Sequence, residues 1–264
     1  MDKNSIAKAV RLLDTKEDLL NLLNQIKQGE MAKCGMTDKF YPFTMKLLNY
    51  YCNPNNSFHR YKQFKIKKKS GGFRLITAPR NQSFMLLLRY VNEIFKAVYT
   101  PSDYAMGFTE GRSVVTNANK HKGHNYVFNT DLKDFFPSIH QARVWKRLQL
   151  KPLLFKQSIA NVVAGLCSMK EKMEDGSVRY VLPQGAPTSP TITNMICDNL
   201  DRRLAGLAKR FGVVYSRYAD DITFSSMHNV YHSSGEFIKE LRRIVESQGF
   251  IMNEDKTRLQ KLGT

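Results

Sequence analysis

Residues 213–226 read VVYSRYADDITFSS. Two runs rich in β-branched and aromatic residues flank Asp220 and Asp221, and the pattern predicts a hairpin with Asp220 in its turn. Adjacent carboxylates repel, so the pair asks for a reason. A second run, YVFNTDL at 126–132, alternates its side chains between faces and sets Asp131 with Val127 and Asn129 on one of them. With that strand beside the hairpin, Asp131, Asp220 and Asp221 converge from separate segments, and carboxylates clustered out of water demand cations. Mg2+ suits them, because it takes hard oxygen ligands and keeps places for water and substrate phosphate. Two such ions stabilise the attacking and leaving oxygens of a phosphoryl transfer. Taken alone, an Asp-Asp turn is ordinary solvated turn chemistry, and nearby Asp134 reads as a surface residue.

Around these strands the 264 residues carry 41 Lys and Arg against 23 Asp and Glu, formally +18, with 42% hydrophobic residues. That apolar content supports a packed core. The positive excess points to a polyanionic partner, most often nucleic acid. Cys34, Cys52, Cys167 and Cys197 lack any CxxC pairing and read as reduced thiols. Neither His121 with His124 nor His228 with His232 has evident partner ligands for a zinc site. MDKNSIAKAVRLL has no signal-peptide pattern, and FMLLLRYVNEIF is broken by Arg89, Asn92 and Glu93. The expectation is a soluble, cytoplasmic chain with no membrane partner.

Elsewhere helices alternate with hairpins. LLDTKEDLLNLLNQIKQG (12–29) predicts a helix started by Thr15 and Asp18 and stopped at Gly29. FTMKLLNYYCNP (43–54) predicts another, ended before Pro54. QFKIKKKSGGFRLITAP (63–79) reads as a basic hairpin around Ser-Gly-Gly, and 81–99 as an amphipathic helix. Residues 102–125 read as loop. Helical patterns follow at 141–150 and 156–167, with lone Trp145 read as core, and a hairpin turned at Asp175-Gly176. Ser189-Pro190 opens a helix whose apolar face is Ile192, Met195, Ile196, Leu200, Leu204 and Leu207. A last helix over 234–249 turns Phe237, Leu241, Ile244 and Val245 inward. The fold class is α+β, an antiparallel sheet backed by helices.

TDLKDFF (130–136), LPQGAPTSP (182–190) and YADD (218–221), in this order, resemble the palm motifs of reverse transcriptases. The match extends back to KIKKKSGGFR in the fingers and forward to GFIMNEDKT, and three ordered motifs are far more specific than one. The QGxxxSP form and the NAxxH within NANKH (117–121) resemble retron-type bacterial enzymes more than group II intron maturases, whose second motif usually reads PQGGxxSP.

The resemblance implies a right-hand polymerase: N-terminal helices over 1–60, fingers over 61–125, and a palm over 126–264 with a finger insertion near 141–182. Such enzymes continue into a primer-grip segment and a helical thumb that residues 1–264 do not include, so the expectation is fingers and palm without a thumb. It also implies Asp131, Asp220 and Asp221 as ligands of two Mg2+ ions, with Mn2+ able to substitute. Phe136 corresponds to the bulky residue that excludes a ribose 2′-OH, while Phe135 reads as core. Gln184 corresponds to a residue touching the incoming nucleotide, with Gly185 allowing close backbone approach. Lys67 and Arg74 correspond to the triphosphate grip, with Lys65, Lys68 and Lys69 as equally basic neighbours of Lys67. Lys256 corresponds to a general acid for the leaving pyrophosphate, although an exposed lysine is the plainer account. Arg112, Asn117 and His121 are the candidate RNA contacts.

The implied activity is RNA-directed DNA synthesis from dNTPs on an RNA template with a nucleic-acid primer. A retron-type enzyme would copy its own noncoding RNA from an RNA 2′-OH and serve phage defence with an effector protein. Alternatives are an intron maturase, a diversity-generating or abortive-infection reverse transcriptase, or a non-catalytic RNA-binding scaffold. Three converging carboxylates argue against the last.

Overall fold

The computed structural model describes residues 1–67, 71–172, 175–232 and 235–262, so Lys68, Lys69 and Ser70 of the expected basic hairpin lie outside the described residues. The strands, in chain order, are β1 (Tyr61–Lys67), β2 (Phe73–Pro79), β3 (Tyr126–Leu132), β4 (Met169–Lys172), β5 (Val178–Val181), β6 (Val214–Tyr218), β7 (Asp221–Ser226) and β8 (Met252–Lys261). Two compact units form, Met1–Thr100 with Ile139–Ile192, and Pro101–Ser138 with Thr193–Thr264.

The first unit holds the N-terminal helices, the β1–β2 hairpin, the helix Gln82–Val98, the helices Gln141–Leu148 and Gln157–Leu166, and the β4–β5 hairpin. Thr15 and Asp18 close a full capping box, satisfying amides that a helix start leaves without partners. That helix runs on to Lys33 rather than stopping at Gly29. A Cβ at Gly29 would stand 2.5 Å from the Met1 backbone nitrogen, so the glycine serves a close approach and not a stop. Leu19, Leu22, Leu23 and Ile26 give the helix its buried stripe.

Arg60 of this unit is fully buried. Its guanidinium donates to the carbonyls of Tyr51 (2.7 Å), Gly165 (2.9 Å) and Ser168 (2.7 Å). Tyr51 and Gly165 lie in the last turns of the helices Met45–Cys52 and Gln157–Leu166, where carbonyls lack intrahelical partners and a cation is favoured. Trp145, expected in the core, is half-buried.

In the second unit, β6-β7-β3-β8 form one antiparallel sheet in that order. Its two faces differ in chemistry. Tyr215, Phe224 and Phe128 line up across β6, β7 and β3 on one face, where Phe224 packs edge-on against Phe237 of the helix Glu236–Ser247 at 5.0 Å. Ser216, Thr223 and Asn129 line up on the other, which also carries Asp131. The long helix Ser189–Phe211 buries the expected Met195, Ile196, Leu200, Leu204 and Leu207. A helix at Val114–His121 occupies part of the stretch read as loop, with Ser113 and Thr116 in a capping box. Among the described residues no helix is long and apolar enough to cross a membrane.

Candidate active site

The pairing of β3 with β7 sets the geometry. Asp131 stands directly across from Asp221, and in antiparallel strands opposed residues share a face. Asp220 occupies the turn between β6 and β7, following Ala219 in the left-handed conformation at φ 57°. The Leu132 amide donates to the Asp220 carbonyl at 3.1 Å, tying the end of β3 to that turn.

Burial falls unequally on the three carboxylates. Asp131 is buried, Asp220 half-buried and Asp221 exposed. Asp131 Oδ2 receives Lys256 Nζ at 2.5 Å and Asn253 Nδ2 at 3.3 Å, whereas its Oδ1 is buried without a hydrogen-bond partner. An orphaned buried oxygen costs about 1–3 kcal/mol. Burial, and then the charges of Asp221 and Asp131, push the Asp220 carboxyl up to about 6 against the opposing pull of its own amide and Lys256. Among the described residues no three Asp, Glu, His or Cys side chains close round one point as a finished metal cage. The donors are nevertheless hard carboxylate oxygens, one of them unpartnered, which is the chemistry a hard divalent cation takes. In this arrangement the Lys256 ammonium supplies the positive charge. Asp131, Asp221 and Lys256 line a cleft of about 530 Å³ with Tyr218, Asn117 and Arg258.

The other expected residues of this unit sort by what they touch. Phe135 is core, as expected, and Phe136 is half-buried with its ring 5.5 Å from Phe135 and 6.4 Å from Phe108. Arg112 donates to the carbonyls of Ser102 and Ala105 and to the exposed Asp103 carboxylate. Asn117 Oδ1 accepts from Ser216 Oγ at 2.6 Å. His121 is buried, with Nδ1 2.6 Å from Ser225 Oγ and Nε2 2.7 Å from Ser216 Oγ. Burial, reinforced by His124 and Lys120, lowers its imidazole to about 4 and keeps it neutral. Arg112 and His121, two of the expected RNA contacts, thus make internal bonds that hold the 102–121 segment in place.

In the first unit, Lys67 and Arg74 are both exposed on the hairpin. Lys67 pairs with Phe73 and Ile66 with Arg74, so the two cations point to opposite faces of the ribbon. Gly185 has φ 128°, and a Cβ there would lie 2.9 Å from both Ile76 Cγ2 and the Thr77 carbonyl oxygen. The Gln184 carbonyl accepts from the Thr77 amide at 2.8 Å, so it is β2 that approaches the LPQG loop closely. Ile76 and Arg74 share a face, which puts Arg74 rather than Lys67 on the side of Gly185.

Asn253 is a neighbour of Asp131 that motif reading passed over. Its signal is the strand β8, whose register sets Asn253 opposite Asp131. The sequence NEDKTRLQK hides it behind a nearly continuous polar run.

A family model described as reverse transcriptase (RNA-dependent DNA polymerase) matches residues 66–262. The chain is 38% identical over 226 residues to the retron Mx65 reverse transcriptase of Myxococcus xanthus, covering 80% of this chain and 50% of that one. It is 33% identical over 217 residues to the retron Ec86 reverse transcriptase of Escherichia coli, covering 81% and 62% respectively. The chain thus spans about half the length of the curated relatives it matches. Among solved structures, telomerase from Candida albicans in complex with a TWJ fragment of telomeric RNA is similar at TM-score 0.46 and 13% identity, over 92% of this chain and 48% of that one.

Proposed function

The chain belongs to the reverse transcriptase family, and from that membership we propose that it is a cytoplasmic bacterial RNA-directed DNA polymerase of the retron type. The observation that carries the reading is the opposition of Asp131 to Asp221 beside the Asp220 turn, with one Asp131 oxygen buried and unpartnered. A scaffold that merely binds RNA has no use for that arrangement. Similarity at 33–38% identity to enzymes named as retron reverse transcriptases favours the retron reading over an intron maturase.

The family works with divalent metal ions. We take these to be two Mg2+, held by Asp131, Asp220 and Asp221. When bound, such ions supply electrostatic stabilisation to the attacking and leaving oxygens of nucleotidyl transfer. The protein's own groups do the rest. Asp131 is fixed by its strand and by Lys256 and Asn253. Phe136, braced by Phe135 and Phe108, is the ring proposed to stand against C2′ of the incoming sugar. Arg74, Gln184 and Gly185 are proposed to meet the dNTP, and Lys256 to hold the proton that the leaving pyrophosphate takes. Asp131 raises the pKa of that ammonium, so it is fully charged at neutral pH. In this reading the first unit holds the N-terminal helices, the fingers hairpin and the insertion near 141–182, and the second holds most of the palm together with residues 101–125.

The proposed partners are an RNA template, a nucleic-acid primer and dNTPs. As the retron-type resemblance implies, the proposed RNA is a noncoding RNA primed from a 2′-OH, and an effector protein would complete a phage-defence system. The test is primer extension by the protein on matched RNA and DNA templates, followed by sequencing of the product. Extension copied from the RNA supports the reading. Strict dependence on a DNA template overturns it.

A further inference from the structure

Arg217, in β6 with only Tyr218 between it and the Ala219–Asp220 turn, is fully buried, as is Asp201 on the helix Ser189–Phe211. Arg217 Nε and Nη2 donate to the two oxygens of Asp201 at 2.7 and 2.8 Å, and Nη2 also reaches Asn194 Oδ1 at 3.2 Å. The remaining arm, Nη1, donates to the carbonyl of Ala219 at 2.9 Å. The Arg217 backbone is held as well, its amide by the Tyr104 carbonyl and its own carbonyl by the Met106 amide.

A buried ion pair is often no more stabilising than apolar residues of the same volume. Filling the core therefore does not explain why this position carries a charge. What a leucine or methionine would not do is hold a carbonyl. Ala219 adopts the left-handed conformation at φ 57°, which residues other than glycine resist. The planar guanidinium fork fixes two acceptors at a set angle, so its grip on Asp201 aims the third arm at Ala219. On the far side of the turn, the Leu132 amide holds the Asp220 carbonyl. The peptide units around Asp220 are thus clamped from both flanks, one of them Arg217.

We propose that Arg217, anchored by Asp201, is a positioning residue that fixes the Ala219–Asp220 turn and so aims the Asp220 and Asp221 carboxylates. It touches no substrate. The inference rests on reading that turn as the metal-binding centre, and it adds the device that makes the turn rigid.

Arg217→Lys keeps a positive charge for Asp201 but loses the fork. Tyr215→Phe is the control, because Tyr215 Oη donates to Asp201 Oδ1 at 2.8 Å and its loss loosens the same cluster without releasing the Ala219 carbonyl. Each chain is melted, titrated with Mn2+ by electron paramagnetic resonance, and assayed for dNTP incorporation well below its melting temperature. Arg217→Lys should weaken Mn2+ binding at least fivefold and lower kcat at least tenfold, with KM for dNTP within twofold. Tyr215→Phe should melt lower yet bind Mn2+ within twofold of wild type. Wild-type Mn2+ affinity in folded Arg217→Lys, or equal weakening in both variants, overturns the proposal. Should Arg217→Lys not fold, Ala219→Gly decides, since the intact clamp should hold a glycine there with Mn2+ affinity within twofold, and a larger loss contradicts the clamp. A wild-type chain that binds Mn2+ but extends no primer contradicts the polymerase reading instead, and the Mn2+ comparison still judges Arg217.

Discussion

Lys256 Nζ lies 2.5 Å from Asp131 Oδ2, joining a side chain that is 62% exposed to a carboxylate that is only 6% exposed. The two come from neighbouring strands, β8 and β3, and the buried partner depends on the contact far more than the exposed one does. Exposed ion pairs contribute little, but uncovering a buried carboxylate is costly.

Lys256→Met should therefore destabilise the protein by about 1–2 kcal/mol in EDTA, a fall of a few degrees in melting temperature. Millimolar Mg2+ should narrow the difference, because a cation at Asp131 replaces the lost ammonium. Scanning calorimetry with and without Mg2+ measures both. Identical melting of variant and wild type in EDTA would show that the pair contributes nothing.

His121 makes stability depend on pH. Its folded value of about 4 lies below the ordinary 6.5, so between these pH values the unfolded chain binds the extra proton. The contribution is complete above pH 6.5 and is lost as pH falls toward 4, reaching up to about 2 kcal/mol by pH 5. Urea midpoints at pH 7.5 and pH 5 should diverge more for wild type than for His121→Gln. Equal pH sensitivity in the two would remove His121 as the cause.

Gly165→Ala tests the packing around Arg60. A Cβ at Gly165 would lie 2.0 Å from the Cys52 carbonyl oxygen, so the helices Met45–Cys52 and Gln157–Leu166 must part. A loss of about 2–3 kcal/mol is expected from this overpacking, measured by denaturant unfolding. A loss below 0.5 kcal/mol would mean the helices separate freely.

Phe136→Ala opens the space assigned to the sugar gate. Its selectivity for dNTP over NTP, as a ratio of kcat/KM, should fall by about 10–100-fold. Phe135→Ala should chiefly lower stability, because that ring is core. Unchanged sugar selectivity in Phe136→Ala assigns the gate elsewhere.

Much of this was legible because local pattern and tertiary environment agree. The runs 126–132 and 213–226 alternate cleanly, and both become strands of one sheet. The opposition of Asp131 to Asp221 was legible only as a supposition, since register depends on pairing that no single strand encodes. β8 escaped because an edge strand tolerates charge, and NEDKTRLQK spells solvent exposure better than it spells strand. The helix Val114–His121 is short and polar, yet its Ser113 and Thr116 box was a readable signal. Gly29 misled because a glycine demanded by a neighbouring backbone looks the same as one that ends a helix. Arg60 and Arg217 are invisible for a related reason. Arginine is ordinarily exposed, and only the carbonyls and carboxylates gathered around these two explain their burial.

Asp131, Asp220 and Asp221 are proposed to serve nucleotide joining together. Single-turnover incorporation of a dNTP on an RNA-templated primer, compared between wild type and the isosteric Asp220→Asn and Asp221→Asn variants, decides whether they do. Each variant should fold and bind the primer–template as wild type does while its rate drops by about three orders of magnitude or more. Incorporation at the wild-type rate in either folded variant would contradict this role.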